Sequence, residues 1–324
     1  MPPRARSRFR LAGLTIDVVA DDPGVVAGIE HRLVPLRVDD DAGAADFRFD
    51  IGDATATVQA PAGTKRCVYD APAGGIDYYD DTDELFVDYD GAIRVRCRPA
   101  GGEVDIAIDE PDAGRVLAVN PFFTIPLLEL AKRRGRYPLH TACVAADGRG
   151  LLLAGGSGAG KTTLAIALAR AGLTFLGDDI VFLVAGDDGR GTRAYALPDQ
   201  IDVTDTTVAM FPELRALRGA PLPAGRTKHA ARLEHHLTVD AALVCDPGAL
   251  VVCEITGSDP TIVEPLPASE ALVALAPNVL LTEPAASQAH LDALGALVRS
   301  VPCYRVRTGR DVDAAAQTLR TLLA

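Results

Sequence analysis

Tryptophan is absent from this 324-residue chain, methionine occurs twice, and aromatic residues reach only 5%. Positive charge is also short: 32 Lys and Arg stand against 44 Asp and Glu, a formal charge of −12. There is thus no chain-wide basic footprint for nucleic acid or for an anionic membrane surface, and neither is an expected partner. Long apolar runs are missing too. After the basic start MPPRARSRFR, charge interrupts LAGLTIDVVADD too early for a signal peptide or a membrane span. The chain is read as cytoplasmic. The six cysteines (Cys67, Cys97, Cys143, Cys245, Cys253, Cys303) form no CxxC pair and have no histidine at zinc-ligand distance. They are read as reduced core residues, which excludes a zinc site or disulfide framework.

What is present is globular: 48% hydrophobic and 23% charged residues. The length suggests two domains of about 100–200 residues each. Residues 1–118 read as a β-rich (α+β) amino-terminal domain, with strand-like stretches RFRLAGLTIDVV, ADFRFDI and ATVQA followed by a meander. Asp90-Gly91 and Gly101-Gly102 are its hairpin signals. The acidic tract from Asp77 to Asp90 lacks the glycine and terminal glutamate of a calcium loop and is read as a solvated strand edge. A connecting helix is expected over 119–135, with Asn120 as cap, Pro121 in the first turn and Gly135 as stop.

Residues 136–324 alternate strand and helix patterns, the mark of a layered α/β domain. LHTACVAA and GLLLA read as a hairpin turning near Gly148, Thr162 to Ala171 as a helix closed by Gly172, and LTFLGDDIVFLVA as one strand. A second hairpin is expected at 186–189. The buried strand ALVVCEI, helices near Ser269–Ala276 and Ser287–Val301, and a final strand and helix follow.

Between GLLLA and the helix stands GGSGAGKT, residues 155–162, which fits GxxxxGK[ST]. Glycines at 155 and 160 permit backbone angles that aim several amides at one anion, and the helix N-terminus adds its positive end. Lys161 would reach the terminal phosphates and the Thr162 hydroxyl would hold Mg²⁺. Only four of the 32 basic residues are lysine, so a lysine here is not surface decoration. The candidate ATP-binding residues are Gly155, Gly156, Ser157, Gly158, Ala159, Gly160, Lys161, Thr162 and Thr163.

The strand after the helix ends in Asp178-Asp179 and, if parallel to GLLLA, brings two carboxylates to the phosphate loop. One would bind Mg²⁺ and the other accept a proton from an attacking hydroxyl. Hairpin counting sets His140 opposite Ser157, within reach of a phosphate or an aspartate; a packing role is the alternative. Glu254 at a strand end, and Arg226 and Lys228 in a polar loop, are read either as site residues or as ordinary surface charges.

The segments His140-Thr141, Gly155–Thr162 and Gly177-Asp178-Asp179 resemble the catalytic domain of HPr kinase/phosphorylase, a bacterial serine kinase with a P-loop. Resemblance is carried mainly by Tyr137 to Phe182, with an echo at Arg307-Thr308-Gly309-Arg310-Asp311. Glu254-Ile255-Thr256-Gly257 is the nearest string to that family's Glu-Ile-Arg-Gly signature and lacks its arginine. The chain looks more like the HPr-kinase-related proteins found beside peptide-modification genes. The resemblance implies a mixed-sheet P-loop domain, ATP and Mg²⁺ as cofactors, metal at Thr162 and Asp179, and catalytic roles for Asp178, Lys161 and His140.

The expected activity is therefore transfer of the γ-phosphoryl group of Mg-ATP to a hydroxyl, with a serine of a peptide or small protein as acceptor. A small-metabolite kinase and an ATP-binding regulatory switch are the alternatives. A homo-oligomer is compatible with the sequence, which names neither the oligomeric state nor the acceptor.

Overall fold

RFRLAGLTIDVV does not run as one strand. Ala12 and Gly13 take positive φ values of 47° and 81° and fold it into a hairpin of β1 (Ala5–Leu11) and β2 (Leu14–Ala20). The computed structural model describes residues 3–39, 43–52, 57–71, 74–109, 121–186, 191–198, 200–220, 222, 227–257, 260–279 and 281–323. They form two compact units: Met1–Tyr137 with Leu281–His290, and Pro138–Leu280 with Leu291–Ala324. Residues Leu281–His290, inside the span 136–324 read as one domain, thus group with the first unit.

After β2 comes a helix that the sequence reading lacks, α1 (Pro23–Arg32). Asp22 caps it, its carboxylate accepting from the Gly24 amide, and Pro23 occupies the first turn. Gly24, Gly28 and two valines weaken its helical signal, and burial of Val25, Val26 and Ile29 compensates. β3 (Phe47–Gly52) pairs parallel with β2. The meander β4 (Lys65–Ala71), β5 (Gly74–Tyr79), β6 (Glu84–Tyr89), β7 (Ile93–Arg98) and β8 (Glu103–Ile108) completes an eight-stranded sheet ordered β1-β2-β3-β8-β7-β6-β5-β4.

Asp90 and Gly91, with φ of 48° and 71°, make the β6–β7 turn expected there, and Gly102 (φ 68°) the next. The described part of ATVQA, residues 57–60, is not strand. The acidic tract lies on two inner strands and their turns rather than on a sheet edge. Lys65, Arg66 and Arg94 neutralise Asp77, Asp80 and Asp88 there at 2.8, 3.0 and 3.1 Å. Cys67 on β4 is exposed, against expectation; the other five cysteines are buried, and all six are free thiols.

Helix α2 (Pro121–Arg133) follows; the expected cap Asn120 lies outside the described residues. Its inner face carries charge. Glu129 and Lys132, each with a side chain 1% exposed, pair at 3.0 Å, and Arg133 reaches Glu129 at 2.6 Å. Thr282 accepts from Lys132 Nζ at 2.6 Å and donates to Glu129 Oε1 at 2.7 Å, which ties Leu281–His290 into the first unit.

In the second unit, two stretches read as single strands are each broken. LHTACVAA splits at Thr141 into β9 (Arg136–His140) and β10 (Ala142–Ala146), and LTFLGDDIVFLVA splits at Asp178-Asp179 into β12 (Thr174–Gly177) and β13 (Ile180–Ala185). With β11 (Arg149–Ala154), β14 (Thr192–Ala196) and β17 (Val244–Ile255) they form a mixed sheet ordered β12-β10-β11-β17-β14-β13-β9. β19 (Cys303–Thr308) pairs parallel with β17 and antiparallel with β18 (Ile262–Pro265). A separate pair joins β15 (Ile201–Val203) to β16 (His229–Ala231).

Antiparallel β10 separates β12 from β11, so β12 runs parallel to β11 without touching it. Helix α3 (Lys161–Arg170) covers this sheet, its alanines allowing close approach. Leu164 and Leu168 join Val144, Leu153, Val251, Val306 and Leu319 in one core. The remaining helices are α4 (Asp205–Met210), α5 (Ala268–Leu275), α6 (Pro284–Ser300) and α7 (Val312–Arg320). No helix among the described residues is long and apolar enough to cross a membrane.

Candidate active site

β11 delivers the chain into loop 155–160, and α3 begins at Lys161. Gly155 has φ 144°, and a Cβ there would stand 2.9 Å from the Cys253 carbonyl oxygen, so only glycine fits. Gly160 (φ 89°) caps α3 without a side-chain bond, and the first helical bond runs from the Leu164 amide to its carbonyl. The amides of Lys161, Thr162 and Thr163 therefore precede the helical bonding and favour an anion. Lys161 folds back over its own loop, Nζ donating to the carbonyls of Gly155 at 2.9 Å and Gly156 at 3.3 Å. Burial lowers its pKa.

The two strand breaks meet beside this loop. The Thr141 amide donates to the Asp179 carbonyl at 3.1 Å, and its hydroxyl donates to the Leu153 carbonyl at 2.8 Å. On one side, Thr162 Oγ1 donates to Asp178 Oδ2 at 2.9 Å, while Asp178 Oδ1 is buried without a hydrogen-bond partner among the described residues. Burial, reinforced by the charge of Asp179 and opposed by the Thr162 bond, Lys161 and Lys228, raises the Asp178 pKa to about 7. On the other side, His140 Nε2 lies 3.2 Å from Asp179 Oδ1, both side chains half-exposed. Burial lowers the His140 pKa against the pull of Asp179.

His140 is not opposite Ser157. The β10–β11 hairpin closes on Asp147 and Gly148 and pairs Ala146 with Arg149 and Ala142 with Leu153, a register that continues toward Gly155. The chain then leaves the ladder at Thr141, and His140 meets Asp179 instead. The two aspartates have different partners: Thr162 donates to Asp178, and Asp179 lies against His140.

The residues fit a hard divalent cation. The Thr162 hydroxyl and the Asp178 carboxylate are hard oxygen donors that would hold one from the protein side. Among the described residues there is no cluster of three or more His, Cys, Asp or Glu that would make a closed protein cage.

The sequence reading missed the far wall of the loop. Thr163 Oγ1 lies 3.3 Å from Thr207 Oγ1, which lies 3.1 Å from Thr204 Oγ1, the cap of α4. His229 Nε2 lies 2.9 Å from Asp205 on that helix. The one available signal was Thr204-Asp205-Thr206-Thr207, a cap followed by an acidic first turn. Glu254 pairs across strands with Arg305 at 3.2 Å and Arg307 at 3.7 Å, an ordinary strand-end charge. Arg310 donates to the Gly257 carbonyl at 3.0 Å. Arg226 lies outside the described residues.

No family model matches this chain, and no curated protein matches it. Among solved structures it is similar to the Hpr(Ser) kinase/phosphatase from Coxiella burnetii, at 10% identity over 57% of this chain and 93% of that one, with a TM-score of 0.31. The likeness is a distant one of fold and carries no argument about chemistry.

Proposed function

We propose that this chain is a kinase that transfers the γ-phosphoryl group of Mg-ATP to a hydroxyl, with a serine of a peptide or small protein as the acceptor. The observation that carries this reading is the Thr162–Asp178 hydrogen bond. It holds a carboxylate with one buried oxygen, unpartnered among the described residues, against a helix start that has no side-chain cap and follows a glycine loop.

Mg-ATP, when bound, supplies the phosphoryl group and a divalent charge. The loop amides and Lys161 bind its phosphates, Lys161 exchanging the Gly155 and Gly156 carbonyls for phosphate oxygens. Thr162 and Asp178 hold the metal side. The half-exposed Asp179 carboxylate, oriented by His140, takes the proton of the attacking hydroxyl. This reverses the roles that the family resemblance implied for the two aspartates. The amino-terminal unit, which has no such constellation among its described residues, is assigned to acceptor recruitment.

The test is incubation of the purified chain with γ-labelled ATP, Mg²⁺ and serine-containing peptides. Label on a serine with stoichiometric ADP supports the reading. Label released only as free phosphate makes the chain an ATP-hydrolysing switch, and absence of ATP binding removes the site.

A further inference from the structure

Three of the four lysines are engaged: Lys65 with Asp77, Lys132 with Glu129 and Thr282, and Lys161 with its own loop. Lys228 is the exception. It is half-buried and takes part in no salt bridge or side-chain hydrogen bond among the described residues. A half-buried cation with no counter-charge among the described residues is available to an anion.

Topology brings Lys228 to the phosphate loop. It directly precedes β16, which pairs antiparallel with β15 so that His229 stands opposite Val203. One step along that register sets Lys228 level with Thr204. From Thr204 the hydroxyls of Thr207 and Thr163 lead, at 3.1 and 3.3 Å, to the first turn of α3, two residues beyond Lys161. His229 is itself anchored to Asp205 at 2.9 Å, which fixes the backbone beside Lys228.

The charge of Lys228 is felt at Asp178, Lys161 and His140, the residues assigned to the metal, the phosphates and the acceptor side. On the kinase reading, those are the residues set around the terminal phosphate rather than around the nucleoside. We propose that Lys228 is a second cation of the active site, donating to an oxygen of the γ-phosphoryl group of a bound nucleoside triphosphate. Lys161 and Lys228 then approach that group from the loop and from the β15–β16 pair.

This inference rests on the kinase reading, and one set of measurements separates the two. Dissociation constants for Mg-ADP and Mg-ATP are measured by calorimetry for the wild type, Lys228→Met and Lys228→Arg. A charge-assisted hydrogen bond to the third phosphate predicts that Lys228→Met loses about tenfold or more in Mg-ATP affinity. Mg-ADP affinity should change less than about twofold, and Lys228→Arg should recover most of the loss. Equal losses for both nucleotides, or none for either, overturn the assignment while leaving the kinase reading intact. Wild-type protein that binds neither nucleotide overturns the kinase reading and this inference together.

Discussion

Thr162 and Asp178, sixteen residues apart, are joined by a 2.9 Å hydrogen bond from hydroxyl to carboxylate. The bond spans the start of α3 and the end of β12 and leaves the second oxygen of Asp178 buried and unpartnered among the described residues. Asp179, the next residue, faces His140 across 3.2 Å. Two adjacent carboxylates therefore have different partners, and their substitutions should separate. Asp178→Asn is expected to raise the Mg²⁺ concentration needed for nucleotide binding by about tenfold or more. Asp179→Asn should bind Mg-ATP within about twofold of wild type and lose single-turnover transfer. Affinity at several Mg²⁺ concentrations, paired with single-turnover labelling, distinguishes them. Matching metal dependence in the two variants would remove the division of roles.

The raised pKa of Asp178 has a consequence for the metal-free protein. A carboxyl whose pKa rises on folding, here from 3.8 to about 7, contributes stability that is fully present below the unfolded pKa. That contribution is lost as pH rises through the folded pKa. Asp178→Asn should therefore stabilise the metal-free protein at pH 8, with the advantage closing toward pH 4. One pKa unit is worth about 1.4 kcal/mol, so the gain at pH 8 is on the order of a few kcal/mol at most. Urea unfolding in chelator across that range measures it. A gain independent of pH would mean that the charge of Asp178 is not what costs stability.

Much of this was legible in the sequence because its signals are local. GGSGAGKT between an apolar run and an alanine-rich helix needs only neighbours to be read, and Asp90-Gly91 needs only its own φ values. What failed depended on distant pairing. LHTACVAA and LTFLGDDIVFLVA look continuous, yet each breaks where the Thr141 amide bonds to the Asp179 carbonyl, a contact across 38 residues of chain. That break, rather than simple strand alternation, is what sends Asp178 and Asp179 to different partners. α1 was missed because tertiary burial outweighs its weak propensity. Thr282 joined the first unit through Glu129 and Lys132, and a polar side chain 150 residues away leaves no periodic trace.

That buried pair yields a prediction for the first unit. Glu129 and Lys132 are each 1% exposed in their side chains, and burial lowers the Lys132 pKa against the pull of Glu129. Removing Lys132 leaves Glu129 with Arg133 at 2.6 Å as its remaining counter-charge, so Lys132→Met should cost less than the ~3–5 kcal/mol of a fully stranded buried charge. The double variant Glu129→Leu with Lys132→Met should recover part of that loss. Chemical denaturation of the wild type, Lys132→Met, Glu129→Leu and the double variant gives the coupling. Additive losses would show that the pair does not act as a unit.

The last prediction contrasts two adjacent glycines of loop 155–160. Gly155 has a φ of 144°, and a Cβ there would meet the Cys253 carbonyl oxygen at 2.9 Å and the Ala159 Cβ at 3.0 Å. The strand behind it is a central one, so β17 cannot withdraw without disturbing its pairing with β11. Gly156 has no such φ, and nothing stands within 4 Å of its Cβ position. Gly155→Ala is therefore expected to lose about 1–3 kcal/mol of stability and to displace the loop amides. Its ATP affinity should fall by at least about tenfold, since the amides act together on one anion. Gly156→Ala should unfold within about 0.5 kcal/mol of wild type and keep its nucleotide affinity. Thermal unfolding with and without Mg-ATP reads both effects at once. Equal behaviour of the two variants would mean that the close approach of Gly155 to β17 does not set the shape of the loop.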